Sequence, residues 1–130
     1  MKSYKTKAFA RFARKERLDS QQLHDAVASA LAKPDANLGG EVIKQRVARA
    51  GGGKSGGYRA IILLRSGTRA VFAHGFAKKD AENISPNELS LLKVLAAHYL
   101  NQTDAEIAKL VEAGELTEVE HADEESEELS

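Results

Sequence analysis

The chain has 130 residues, with no Cys, no Trp and an aromatic content of 5%. This is the length of one domain that can bury a core of its own. Without Cys, disulfides, thiolate metal sites and Cys nucleophiles are excluded, and a reducing cytoplasmic location is favoured. The longest apolar run, Ala60–Leu64, is far shorter than the ~20 residues of a membrane span. The basic N-terminus has no apolar stretch behind it, so no signal peptide is predicted.

The zero net charge hides a strong asymmetry along the chain. Residues 1–79 contain 17 Lys and Arg against 5 Asp and Glu, a net charge of +12. Residues 80–130 contain 2 Lys and Arg against 14 Asp and Glu, a net charge of −12. A basic body with an acidic tail predicts a polyanionic partner for the first part. The alternative is that the two parts only neutralise each other.

Two short helices are predicted at the N-terminal end. Residues 4–17 begin extended or directly helical, and from Phe9 onward apolar residues recur at i, i+3 and i+4. The second helix spans about residues 20–32, because Asp19 offers an N-cap and Gln22 completes a capping box. Two consecutive helices with opposed apolar stripes favour a helical hairpin.

The next segment changes from helical to alternating periodicity. Residues 36–40 are predicted to be a loop, and a tight turn is predicted at 66–68. Residues 41–76 therefore indicate a three-stranded antiparallel meander whose middle strand, rich in Ile and Leu, is central. The three strands are Val42–Arg49, Tyr58–Arg65 and Arg69–Phe76.

Capping signals predict two further helices near the C-terminus. Ser85, followed by Pro and then Glu at the third helical position, opens a helix that ends near Leu100. Thr103 repeats the pattern for a helix to about Ala113. A short edge strand follows. The apolar face of the longer helix is predicted to contain Leu89, Leu92, Val94, Leu95, Ala96 and Tyr99.

These elements predict an α+β fold in which an N-terminal helical hairpin packs on a three- to four-stranded antiparallel sheet, with C-terminal helices. Residues 1–119 are predicted to form a single domain, and residues 120–130 an acidic disordered tail. The tail is interpreted as a solubilising end, with folding back onto a cationic face as the alternative.

Cations in the strand interiors are the main candidates for a binding site. Lys44 and Arg46 share one face of their strand, and Arg59 opens the next. Lys78 and Lys79 directly follow the third strand. Adjacent strands can bring such side chains together, and converging cations bind a phosphodiester backbone.

Other polar residues carry weaker signals. The Gly-Lys-Ser triplet at 53–55 is not a nucleotide-binding loop, because Ala48 stands where the pattern needs Gly and a strand follows. His74 could transfer protons, or be a packed strand residue. Arg65 and Arg69, which flank the turn, are interpreted as solubilising charges on an exposed face. No His and carboxylate spacing indicates a metal site.

Several motifs together resemble the RelE-type toxins of bacterial type II toxin–antitoxin systems. They are Lys-Thr-Lys-x-Phe-Ala-Arg at 5–11, Gly-Lys-Ser-Gly-Gly-Tyr-Arg at 53–59, His-Gly-Phe-Ala-Lys-Lys at 74–79 and Ala-Gly-Glu-Leu-Thr-Glu-Val at 113–119. The Pro-opened helix with Leu-Leu-Lys at 91–93 also fits. The resemblance covers about residues 4–120 and rests on the order and spacing of these motifs.

The resemblance implies an endoribonuclease that cuts mRNA, often on the ribosome. No metal ion is needed if cations stabilise the extra negative charge at phosphorus, and no cofactor is predicted. The resemblance places the paired strand cations of the family on Lys44 and Arg46. The arginine that opens the central strand falls on Arg59, and the basic residue after the last strand on Lys78 or Lys79. The site predicted from the pattern and the resemblance together has two parts. Its catalytic residues are Arg59, Lys78, Lys79 and His74, and its RNA-binding residues are Lys44, Arg46, Lys54 and Arg49.

The resemblance also implies a neighbouring antitoxin that blocks the toxin. The adjacent reading frame is expected to encode a small helix-turn-helix protein or an acidic protein. Many family members carry a Tyr shortly after the last strand, whereas residues 80–83 here are Asp-Ala-Glu-Asn. The identity of the general base therefore stays open. Two alternatives remain: a non-catalytic protein that binds nucleic acid or the ribosome, and a gyrase-poisoning toxin of the related ParE branch.

Overall fold

The computed structural model describes residues 1–48, 57–77 and 84–120. In these ranges the chain forms a six-stranded sheet with helices on both faces. The strands are β1 (Lys2–Thr6), β2 (Ala36–Gly39), β3 (Val42–Val47), β4 (Tyr58–Arg65), β5 (Arg69–Ala77) and β6 (Leu116–Glu118). The helices are α1 (Lys7–Glu16), α2 (Ser20–Ala32), α3 (Pro86–Leu100) and α4 (Asp104–Glu112).

The α+β class is confirmed, as are the N-terminal and C-terminal helices, but the predicted strand count is wrong. The strand order is β2-β3-β4-β5-β1-β6, and β1 pairs parallel with β5 while the other pairs are antiparallel. The strand β1 has a polar sequence, and its partner strand lies near the middle of the chain. No pattern in the local sequence therefore predicts β1. The segment predicted as a loop at 36–40 contains β2, which pairs with β3.

Each face of the sheet has its own apolar core. The N-terminal helices α1 and α2 cover one face, and this first core includes Phe9, Leu23 and Phe72. The C-terminal helices α3 and α4 cover part of the other face, and this second core includes Ile61 and Leu100. Because both faces of β4 are covered, all four residues from Ala60 to Leu63 are fully buried, which confirms the prediction of a central strand.

The predicted helix N-termini are confirmed. Asp19, Ser85 and Thr103 each accept a hydrogen bond from the backbone of the third helical residue. In all three helices the Gln or Glu at that position bonds back to the cap, which completes a capping box. None of the helices in the described ranges is long and apolar enough to cross a membrane. The acidic segment 121–130 lies outside the described residues, so its predicted disorder stays a prediction.

The predicted apolar face of α3 is only partly right. Ala96 and Leu100 are buried in the second core, and Leu92 packs against it. Val94, predicted to be buried, is 66% exposed, and Leu95 is also exposed. The helix is apolar on nearly every side, so its sequence period could not show which side meets the sheet. Leu91, Val94 and Leu95 form an exposed apolar stripe at i, i+3 and i+4.

The interpretation of Arg65 and Arg69 as exposed solubilising charges is wrong. Arg69 is 3% exposed, and its Nη1 donates to the carbonyl oxygens of Tyr99, Leu100 and Gln102 at 3.0, 3.3 and 2.9 Å. Its Nη2 donates to Oδ1 of Asp104 at 2.9 Å. Arg69 therefore satisfies the last carbonyls of α3 and holds the start of α4, where a cation is favoured by the C-terminal end of the helix dipole.

Arg65, on the neighbouring strand β4, contacts the same C-terminal end of α3. Its Nη1 donates to the carbonyl of Leu100 at 2.9 Å, and its Nε and Nη2 form a two-pronged contact with the carboxylate of Glu41 at 2.8 and 2.6 Å. These hydrogen bonds hold the pKa of Glu41 below its usual range. The two arginines thus anchor α3 over one end of β4 and β5.

Candidate nucleic-acid interface

The cations of β3 and β4 lie on one face of the sheet. Ile43 and Val47 of β3 are buried in the first core, so Lys44 and Arg46 point to the opposite side. On β4, Arg59 is directly opposite Arg46 in the antiparallel register. Directly opposed residues have Cβ atoms within ~5.5 Å of each other, so the three cations form one group. The predicted placement of Lys44, Arg46 and Arg59 on one face is confirmed. Lys78 and Lys79, which were predicted to join them, lie outside the described residues.

A bulge in β5 brings two aromatic rings to the same face. The register shifts between Ile61, which pairs with His74, and Ile62, which pairs with Phe72. Ala73 is thus left without a partner across β4, and its carbonyl accepts a hydrogen bond from Thr6 Oγ1 at 3.0 Å. Beyond the bulge, His74 and Phe76 lie on the side of the cations, whereas Phe72 lies in the first core.

Three cross-strand rows describe this face of the sheet. The first row, Val42–Leu63–Val71, is buried in the second core. The second is Lys44–Ile61–His74, and the third is Arg46–Arg59–Phe76. The three cations and Phe76 are half-buried, and His74 is exposed. We call Lys44, Arg46, Arg59, His74 and Phe76 the strand platform.

The strand platform has features that suit an anionic ligand. Arg46 and Arg59 are like charges directly opposed across two strands, and such pairs repel each other. The buried Nη1 of Arg59 has no hydrogen-bond partner among the described residues. The guanidinium of Arg46 lies over Gly57, where an added Cβ would be 3.5 Å from Nε. A phosphate between the two guanidinium groups would relieve the repulsion and accept their hydrogen bonds.

Close packing behind the platform fixes the path of β5. A Cβ added at Gly75 would lie 2.4 Å from Cδ2 of Phe12 on α1, so only glycine fits there. Phe12 in turn packs edge-on against Tyr58, with ring centroids 5.7 Å apart. The Tyr58 hydroxyl donates to Glu16 Oε1 at 2.9 Å. The N-terminal helix α1 therefore supports the strand ends that carry the platform.

The structure brings together half of the predicted site residues. Lys44, Arg46, Arg59 and His74 all belong to the strand platform. The other four predicted residues, Arg49, Lys54, Lys78 and Lys79, lie outside the described residues. The catalytic and RNA-binding roles of all eight residues stay predictions. Phe76 was not predicted. Gly75, which follows His74, is typical of a bulge. A bulge at this point would have indicated that Phe76 lies on the same face as the cations.

The comparison with known proteins agrees with this geometry. A family model described as RelE toxin of the RelE / RelB toxin–antitoxin system matches residues 1–119. No curated protein matches the sequence significantly. The family match confirms the resemblance carried by the sequence motifs, and the toxin–antitoxin system that it names implies an antitoxin partner. With the match spanning both cores and the whole strand platform, the chain belongs to the RelE toxin family.

Proposed function

We propose that this toxin is an endoribonuclease that cleaves mRNA in the cytoplasm, at the ribosome, without a metal ion. The observation that carries the proposal is the convergence of Lys44, Arg46 and Arg59 on one accessible face of a rigid sheet. Three cations at this spacing suit a ribose–phosphate backbone, and two of them are arginines, which grip phosphate with paired donors.

The proposed reaction is an in-line attack by the RNA 2′-hydroxyl on its own phosphate. The 2′-oxygen forms a new bond to phosphorus and the bond from phosphorus to the 5′-oxygen breaks. The 2′-hydroxyl proton passes to a base, and the leaving 5′-oxygen takes a proton from an acid. The products are a 2′,3′-cyclic phosphate and a 5′-hydroxyl, and no oxidant or other reactant is required.

Arg59 is the catalytic group in this proposal. As the central member of its row, it can hold the equatorial phosphate oxygens, where negative charge increases in the transition state. Lys44 and Arg46 position the phosphate chain. Proton transfer is assigned to Lys78, Lys79 or His74, because a Lys surrounded by cations loses its proton more readily.

Expression of the chain in bacteria, followed by mapping of transcript ends, tests the reaction class. We expect growth arrest and fragments that end in a cyclic phosphate and begin with a 5′-hydroxyl. A matched message with a single 2′-deoxy nucleotide at the mapped site, in a reconstituted translation reaction, should stay intact. Cleavage of that message would overturn the mechanism. Arrest without any cleavage would favour the non-catalytic binding protein or the gyrase poison.

We expect the antitoxin to cover the exposed apolar stripe of α3. Leu91 and Val94 are each 66% exposed, and the toxin–antitoxin family supplies a protein partner for such a surface. Replacing Leu91 and Val94 together with Asp should weaken antitoxin binding more than about 10-fold, because interface centres carry most of the binding energy. The measurement is binding of the product of the adjacent reading frame.

The matched control is Leu31→Asp on α2, where a leucine that is 45% exposed lies on the other side of the sheet. This variant should bind the antitoxin like the original chain. Equal binding by the α3 double variant, in a protein that folds normally, would show that the antitoxin docks elsewhere.

A further inference from the structure

We propose that His74 and Phe76 form a stacking site for a nucleobase beside the cations of the strand platform. The inference rests on the proposed function. It extends that function by naming a site for the RNA bases beside the site for the phosphate backbone. It gives His74 a role in holding the substrate, whichever of Lys78, Lys79 and His74 transfers the proton.

The exposure of His74 is unusual for its place in the fold. The first five residues of β5 are buried, and His74 is the first exposed residue of the strand. Its ring lies beside that of Phe76, with centroids 5.8 Å apart and planes tilted by 41°. Phe76 is half-buried and packs against the second core, so it supports the histidine ring from within the sheet.

The bulge at Ala73 is what makes this pair possible. A strand without the bulge would direct Phe72, His74 and Phe76 to the same face by strict alternation. With the bulge, Phe72 stays in the first core while His74 and Phe76 turn to the cations. The bulge therefore reverses the alternation of side-chain faces along β5, so that the rings of His74 and Phe76 lie on the same face as the cations.

The spacing of the rings and cations fits a single strand of nucleic acid. Phe76 is one strand away from Arg59, and His74 is two strands away from Lys44, about 10 Å at the usual strand separation. Proteins that bind single strands combine a cationic track for the backbone with aromatic rings for the bases. Here the cations lie on β3 and β4 and the rings on β5. Because every base has a π-face, this site should accept all four bases.

Binding of a 2′-O-methyl RNA oligonucleotide to the full chain tests the proposal. This probe has no attacking hydroxyl, so binding is measured without cleavage. We expect His74→Gln to weaken affinity roughly 5- to 100-fold, the measured range for loss of one stacked base. His74→Phe keeps an aromatic face and should bind within about twofold of the original chain.

The salt dependence separates stacking from charge. His74→Gln should leave the slope of log affinity against log salt unchanged, whereas Lys44→Ala should reduce it by about 0.7. Unchanged affinity in His74→Gln, or equal losses in His74→Gln and His74→Phe, would overturn the stacking site. So would failure of the original chain to bind the probe at low salt.

The same variants keep this inference distinguishable from the proposed reaction. If His74→Phe binds the probe but no longer supports cleavage, proton transfer at His74 is shown and stacking is not its only role. If the original chain binds through stacking but cleaves no RNA, the stacking site stands and the endoribonuclease proposal fails. Thermal unfolding serves as the fold control, since replacement of an exposed histidine should leave the melting temperature nearly unchanged.

Discussion

Replacing Arg59 with Ala is expected to lower RNA cleavage by about 10²- to 10³-fold, the usual effect of removing one preorganised charge donor from a reacting centre. Its buried Nη1 has no hydrogen-bond partner among the described residues, so this donor is available to a phosphate oxygen in the proposed reaction. The measurement is the rate of message cleavage in a reconstituted translation reaction with saturating toxin.

The fold of the Arg59→Ala variant should be intact. Arg46 lies directly opposite Arg59, so the substitution removes a repulsion between like charges and should not lower the melting temperature. This arrangement is typical of functional sites, where residues serve a ligand at some expense of stability.

Two control variants sharpen this experiment. Arg14→Ala removes the same charge from the exposed surface of α1, on the other side of the sheet, and should cleave at nearly the original rate. Arg59→Lys keeps the charge but loses the planar fork of donors, so we expect an intermediate rate. Undiminished cleavage by a folded Arg59→Ala protein would remove Arg59 from the mechanism.

The sequence alone was sufficient for the elements whose signals are local. Asp19, Ser85 and Thr103 begin their helices as predicted, because a capping residue and its partner lie within three residues of each other. The alternation of β3 likewise placed Lys44 and Arg46 on one face. Such patterns act through neighbours in the chain and need no knowledge of the rest of the fold.

The features that escaped prediction depend on distant parts of the chain. The strand β1 pairs with β5, whose partner residues lie 67 positions away, and its own sequence is polar. The bulge at Ala73 depends on the register of a neighbouring strand. Phe76 could not be placed beside Arg59 without that register.

Two arginines on β4 show most clearly what local sequence cannot predict. Arg59 and Arg65 lie six residues apart on one face of the strand, and the sequence gives them the same neighbourhood of alternating apolar residues. At the Arg65 end the carbonyl of Leu100 and the carboxylate of Glu41 are within reach. At the other end Arg59 faces Arg46. Tertiary packing therefore makes Arg65 structural, whereas we propose that Arg59 binds a ligand.

Replacing Arg69 with Met is expected to lower the free energy of unfolding by about 3 kcal/mol. The substitution keeps an unbranched apolar stem but leaves the carbonyls of Tyr99 and Gln102 without their donor, and such losses cost about 1–3 kcal/mol for each buried group. In a domain of this size the melting temperature should fall by roughly 10 °C. Denaturant unfolding and calorimetry both measure the effect.

Comparison with Lys2→Met shows whether the burial of Arg69 is the cause of the expected loss of stability. Lys2 pairs with Glu118 at 3.7 Å on the exposed surface, with 64% of the Lys2 side chain accessible, so its loss should cost less than about 1 kcal/mol. Arg69 lies at the opposite end of β4 and β5 from Arg59, so Arg69→Met protein that remains folded at low temperature should still cleave RNA. A melting temperature within about 2 °C of the original would mean that the C-terminal end of α3 is held mainly by Arg65. Loss of cleavage in the folded variant would mean that Arg69 also positions the strand platform.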